Sequence, residues 1–212
     1  MDTCVVFCAG SFDRLAQPLA EGDYLIAADG GLRHLEALGI QPHCILGDFD
    51  SLGHIPDSSL VFPVEKDDTD SMLAIRQGLS RGYRRFVIYG ALDGERLDHT
   101  IANLQALQFL ADHHAQGVLV GLNQCAVLVQ NGGLRFPKEA TGIVSVFCMG
   151  TTASGVCIRQ LQYTLEDGSL TCGFPLGVSN HFIGKESEIS VKNGSLLVIF
   201  DRSNPFPEVT AC

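Results

Sequence analysis

The residues best placed to do chemistry in this chain are aspartates. The segment "LGDFDSL" at residues 46–52 puts Asp48 and Asp50 one residue apart, at the end of an apolar run. In an extended strand alternate residues share a face, so both carboxylates would point the same way, their backbones roughly 6–7 Å apart. At an effective dielectric of about 20, two carboxylates about 6 Å apart repel by roughly 3 kcal/mol. Other acids recur in similar places: Asp29 in "AADGG", Asp67, Asp68 and Asp70 in "EKDDTDS", and Asp93 and Asp98 in "GALDGERLDHT". Each has a local reading as well. Acids at a helix start cap free amides and favour the macrodipole, and "ADGG" is an ordinary turn sequence. Independent caps, however, have no reason to converge, and converged carboxylates without partners would repel or take up protons.

A hard cation removes that repulsion. Oxygen ligands without nearby cysteine or paired histidines suit Mg²⁺ or Ca²⁺ rather than zinc, and no EF-hand spacing occurs. Mg²⁺ commonly shares its shell with substrate phosphates. Two basic residues lie inside the same motifs, Lys66 before the acids and Arg96 before "LDH". The implied chemistry is Mg²⁺-assisted reaction of a phosphorylated ligand, most simply a nucleotide. Neither a Walker A sequence nor a strand-linked G-x-G-x-x-G is present, so the phosphate cradle is of another kind.

These acids need elements to position them. "TCVVFCAG", "DYLIAADGG", "CILGDFD", "RFVIYGA" and "GVLVGL" read as buried parallel strands, being short and almost continuously apolar. Helical patterns fall between them at 31–38, 69–80 and about 97–114. In the last, Leu97, Ile101, Leu104, Leu107 and Leu110 are read as one apolar face. Strand–helix alternation predicts an α/β domain over residues 1–125, a mostly parallel sheet with flanking helices. In such sheets ligands bind outside the carboxyl ends of the strands, where the acids fall. From about Cys125 the pattern changes to short β runs joined by turn residues, predicting an all-β sandwich domain over 126–212. Asn193-Gly194, between two alternating runs, predicts a hairpin.

Composition narrows the classes. The chain carries 24 acidic against 14 basic residues, and the surplus sits in the first part: 17 against 8 up to residue 125, 7 against 6 beyond it. The one basic cluster, Arg81, Arg84 and Arg85, is too small for a nucleic-acid stripe and reads as a solvated helix end or turn. No apolar stretch is long enough to span a membrane, and the Met-Asp start carries no basic leader. Most of the eight cysteines lie within apolar runs, and they form no C-x-x-C pair, as reduced, buried thiols of a cytoplasmic protein would be.

The motifs taken as a set are more specific than any one of them. "AADGG", "LGDFDS", "DDTDSMLAI", "GALDGERLDHTIANL" and "GVSNHF", in this order and spacing, resemble the thiamine pyrophosphokinase family of the bacterial type. The resemblance spans essentially the whole chain. It implies a homodimeric enzyme that transfers pyrophosphate from ATP to thiamine, giving thiamine diphosphate and AMP. An α/β catalytic domain that binds ATP and Mg²⁺ would precede a thiamine-binding β-sandwich, with the active site at the interface between subunits. Carried over residue by residue, it makes Asp29, Asp48, Asp50 and Asp70 candidate Mg²⁺ ligands and places Lys66, Thr69 and Arg96 near the triphosphate. Asp98 would face thiamine or its reacting hydroxyl, as base or as positioner of the amine, and Ser179 and Asn180 would bind thiamine. The chain has no Trp to stack on thiamine. Phe182 or His181 could substitute, against the simpler reading of Phe182 as core. Two other classes also accommodate the acids: a Mg²⁺-dependent phosphohydrolase or nucleotidyl transferase with another acceptor, and a non-catalytic thiamine or nucleotide sensor.

Overall fold

Five apolar runs form the parallel sheet that carries the acids: β1 (Cys4–Phe7), β2 (Tyr24–Ala28), β3 (Cys44–Gly47), β5 (Arg85–Tyr89) and β6 (Gln116–Val120), with a two-residue β4 (Leu60–Val61). The computed structural model describes residues 2–49, 54–57, 59–61 and 68–211. The chain divides into two compact units, Met1–Leu122 and Asn123–Cys212.

In the first unit the strand order is β4-β3-β2-β1-β5-β6, every pairing parallel. Burial of β1 and β2 at every position accounts for their unbroken apolar sequences. Among the described residues three α-helices follow strands: α1 (Leu32–Ala37), α2 (Asp70–Ser80) and α3 (Leu97–Asp112). Helix α2 packs on β1, β2 and β3, and α3 packs on β6 and α2.

The apolar face of α3 differs from the sequence expectation. Leu107 and Leu110 are buried, but Leu97 is 71% exposed and Ile101 51% exposed. At about 100° per residue, each spacing of three falls about 60° short of a turn, so a run of such spacings rotates off one face. The buried stripe is instead Asn103, Ala106, Leu107 and Leu110, with a polar residue at its head.

The second unit contains β7 (Gln124–Gln130), β8 (Gly132–Phe136), β9 (Ile143–Arg159), β10 (Leu165–Thr171), β11 (Gly177–His181), β12 (Ser187–Ser190), β13 (Asn193–Asp201) and β14 (Glu208–Ala211). Its pairings are antiparallel, in the order β14-β8-β12-β9-β13-β7, with β10 and β11 also paired to β9. The runs "IVSVFCM" and "GVCIRQLQY", read separately in sequence, belong largely to this one long strand β9. The Asn193-Gly194 hairpin is not formed: β12 pairs with β8 and β9, while β13 pairs with β7 and β9. The turn at 191–194 therefore passes the chain across the sheet rather than folding neighbours together. Phe136 packs against Phe182 and Phe200, with ring centroids 5.1 and 5.2 Å away, which makes Phe182 a core residue.

Candidate active site

The strand order reverses between β1 and β5, and a cleft of about 1170 Å³ opens there, at the carboxyl ends of the strands. This is the crevice in which open parallel sheets bind ligands. Its walls come from the loops after β1, β2, β3, β5 and β6 and from the starts of α2 and α3.

Asp29, Asp48 and Asp70 all line it. Asp29 is buried and begins a short 3-10 turn over Asp29–Gly31 in the left-handed region, at φ 46°. A β-carbon at Gly31 would lie 1.9 Å from the Phe7 carbonyl oxygen, so only glycine lets this turn pass so close to the end of β1. Asp48 follows the last residue of β3. Phe49, next along, is buried and left-handed at φ 62°, so the chain is not extended at that residue. Asp50 itself, with Lys66 and Asp67, lies outside the described residues.

Thr69 caps α2, its Oγ1 accepting from the Met72 amide at 3.3 Å, which places Asp70 in the first helical turn. Asp68 belongs to a different network: it bonds Arg76 at 2.8 Å, and that guanidinium lies over the Phe109 ring at 4.9 Å. Asp93 lines the cleft but ties loops together. Its Oδ2 accepts from the Leu122 amide at 2.6 Å, and its carbonyl accepts from the Ser11 amide at 2.5 Å. Cys8 lies close by, and burial, with a smaller contribution from the Asp70 charge, pushes its thiol up to about 12. It is a neutral wall residue, not a nucleophile.

Arg96 also lines the cleft and pairs with Asp98 through two bonds, Nη2–Oδ2 at 2.6 Å and Nε–Oδ1 at 3.3 Å. Both side chains are exposed. The Arg96 hydrogen bond holds the Asp98 carboxyl below the usual carboxylate range. Asp98 is not among the described residues that line the cleft.

Ser179 and Asn180 belong to the second unit. Ser179 is left-handed at φ 59°, and its amide donates to Ser145 Oγ at 3.0 Å. Asn180 is 4% exposed; its Oδ1 accepts from the amides of Tyr163 and His181, both at 2.9 Å, and its Nδ2 donates to the Tyr163 carbonyl at 2.7 Å. Its side chain is thus committed to backbone, beside a strained and exposed Ser179.

Two family assignments account for most of the chain. Residues 15–119 match the catalytic domain of thiamin pyrophosphokinase, and residues 133–197 match its vitamin B1 binding domain. The chain belongs to the thiamin pyrophosphokinase family. It is an enzyme, and its reaction is ATP-dependent transfer of pyrophosphate to thiamine. Among its relatives, thiamine pyrophosphokinase of Bacillus subtilis (strain 168) is 26% identical over 190 residues, covering 82% of this chain and 85% of that protein. Thiamin pyrophosphokinase 1 of Caenorhabditis elegans is 24% identical over 193 residues, covering 82% and 77%. The crystal structure of thiamine pyrophosphokinase from Bacillus subtilis shares the fold, with a TM-score of 0.84 at 22% identity over 95% of this chain and 99% of that one.

The charge of the cleft bears on how a thiamin pyrophosphokinase would hold its nucleotide. Asp13, Asp29, Asp48, Asp70, Asp93 and Glu95 line it, against Arg96 as the described lining cation of full charge. A triphosphate entering so acidic a space needs cations to accompany it. No group of three or more His, Cys, Asp or Glu among the described residues is close enough to enclose a metal ion. Mg²⁺ does not require such a cage, since it is commonly held by one or two carboxylates with water and phosphate completing the shell. Sequence reasoning missed the loop from Cys8 to Asp13, His34 and Asn103, all cleft-lining. His34 Nε2 sits 2.8 Å from the Gly10 carbonyl. Nothing in residue type marks it, but its position one turn beyond "ADGG" does place it on this edge.

Proposed function

We propose that the acidic cleft of the first unit binds Mg²⁺–ATP and that the β- and γ-phosphates pass from it to the hydroxyethyl oxygen of thiamine, giving thiamine diphosphate and AMP. One observation carries this reading: Asp29, Asp48 and Asp70 arrive from three separate elements on a single cleft at the switch point of the sheet. Asp50, two residues from Asp48, belongs to the same set by sequence. These carboxylates fit a hard divalent ion by their all-oxygen chemistry. When bound, that ion neutralises the phosphates and the departing AMP.

The thiamine oxygen attacks the β-phosphorus, the bond from that phosphorus to the α,β-bridging oxygen breaks, and the bridging oxygen leaves with AMP. The hydroxyl proton must go to a base. Asp98 serves as that base or holds the thiamine amine, its carboxylate oriented by the two bonds from Arg96. Arg96 stabilises charge on the phosphates, as does Lys66 from its place before the acids. Thr69 shapes the start of α2 beside the phosphates. Ser179 contacts thiamine from a strand that the Asn180 side chain ties to the Tyr163 backbone.

In this reading the first unit is the catalytic domain and the second the thiamine-binding domain, in a cytoplasmic homodimer whose active site lies between subunits. Phe174, Leu176 and Val178, on the segment leading into Ser179, are 66%, 57% and 42% exposed. They are apolar surface of the kind that subunit interfaces bury. The test is product identity. Purified protein with ATP, Mg²⁺ and thiamine should release AMP, and none when thiamine is omitted. Release of ADP, or hydrolysis without thiamine, would contradict the reading.

A further inference from the structure

Asn103 is a buried polar residue, 8% exposed, on the packing face of α3, and it lines the cleft. Its Nδ2 donates to the Ala91 carbonyl, in the loop after β5, at 2.9 Å. That contact fixes the amide orientation, because a carbonyl cannot accept from Oδ1. Oδ1 therefore faces Ser71 Oγ, 2.7 Å away, and Ser71 must be the donor. A serine hydroxyl has one proton. With that proton committed to Asn103, the 2.9 Å contact between Thr69 Oγ1 and Ser71 Oγ has Thr69 as donor. Thr69 Oγ1 in turn accepts from the Met72 amide. The chain of bonds has one consistent direction, from the first turn of α2 through Asn103 to the loop beyond β5. It leaves Thr69 no hydroxyl proton for a phosphate.

We propose that Asn103 is a positioning residue: through Ser71 and Thr69 it fixes the first turn of α2, which carries Asp70, to the β5 loop at Ala91. The two ends of the chain lie on different walls of the cleft, so Asn103 sets the distance between Asp70 and the wall that leads to Arg96. Thr100 Oγ1, donating to the Leu92 carbonyl at 3.2 Å, braces α3 against the same loop. This rests on the reading that Asp70 faces bound metal and ATP.

The experiment compares wild type with Ser71→Ala, Asn103→Ala, the double variant and the conservative Ser71→Thr. Ser71→Ala cuts the chain and leaves the Asn103–Ala91 bond in place, so it tests the link even if Asn103→Ala does not fold. Mn²⁺–ATP binding is measured by calorimetry, steady-state kinetics with thiamine give kcat and KM, and hydrogen exchange is followed at the Met72 and Leu73 amides. Ser71→Ala should weaken Mn²⁺–ATP binding about tenfold, lower kcat, speed exchange at those amides and leave the thiamine KM within twofold. Ser71→Thr should restore binding, and the double variant should lose no more than the worse single one. Wild-type Mn²⁺–ATP affinity in a folded Ser71→Ala protein would overturn the proposal. Failure of wild type to bind Mn²⁺–ATP at all would instead overturn the reading of the cleft beneath it.

Discussion

Asp29 stands over Gly47, so close that a β-carbon at position 47 would lie 3.0 Å from the Asp29 Cβ. The ends of β2 and β3 are paired at Ala28 and Leu46, and the missing side chain on one strand makes room for the carboxylate on the other. Gly47 also has φ 150°, at the edge of the region that disfavours side chains. Gly47→Ala should therefore destabilise the protein by about 1–3 kcal/mol and weaken Mg²⁺–ATP binding together. Denaturant unfolding and calorimetry report the two effects, and a stable variant with wild-type affinity would show that Asp29 does not depend on this contact.

Asp70→Asn removes a charge from the cleft and keeps the shape of the helix start. Turnover should fall about 100-fold or more, the loss typical of removing one electrostatic stabiliser, while the circular dichroism spectrum is unchanged. Half-activation should need more Mg²⁺. Full turnover at unchanged Mg²⁺ demand would remove Asp70 from the metal set.

The Arg96–Asp98 pair makes a prediction about pH. The Asp98 carboxyl titrates below its ordinary 3.8 because Arg96 bonds its charged form. Its contribution to stability is therefore complete above pH 3.8 and is lost as pH falls through the depressed value. Thermal melts of wild type and Asp98→Asn should differ at neutral pH and converge in strong acid. In the enzyme without substrate, Asp98 should not set the acidic limb of a kcat/KM profile between about pH 5 and 8. Persistence of that limb in a weakly active Asp98→Asn variant agrees, and its disappearance would contradict the pairing.

Burial, the largest cause in each case, pushes the thiols of Cys4, Cys8 and Cys125 up to about 12. At pH 8 they should resist iodoacetamide in the native protein, whereas exposed Cys172 should be alkylated. Peptide mass spectrometry distinguishes the sites. Native-state labelling of Cys8 would contradict the packed wall beside Asp70.

The parallel strands and the acid edge could be read from sequence because both depend on local pattern. Continuous apolar runs mark strands buried on both faces, and Asp29 and Asp48 follow directly at their carboxyl ends. What escaped depends on contacts between distant segments. Nothing local puts Phe49 in the left-handed region, turns Leu97 outward, or keeps the strands flanking Asn193-Gly194 apart. The motif pair Ser179-Asn180 was visible, but the commitment of Asn180 to the Tyr163 backbone was not. Ser71 and Asn103 are 32 residues apart, and neither carries a motif that announces the other.

The most direct test of pyrophosphoryl transfer at this site follows the phosphates themselves. Protein, Mg²⁺ and thiamine are incubated with ATP labelled at the α-phosphate in one sample and at the γ-phosphate in another. The γ label should appear in thiamine diphosphate and the α label in AMP. A γ label recovered as inorganic phosphate or thiamine monophosphate, with the α label in ADP, would contradict the mechanism.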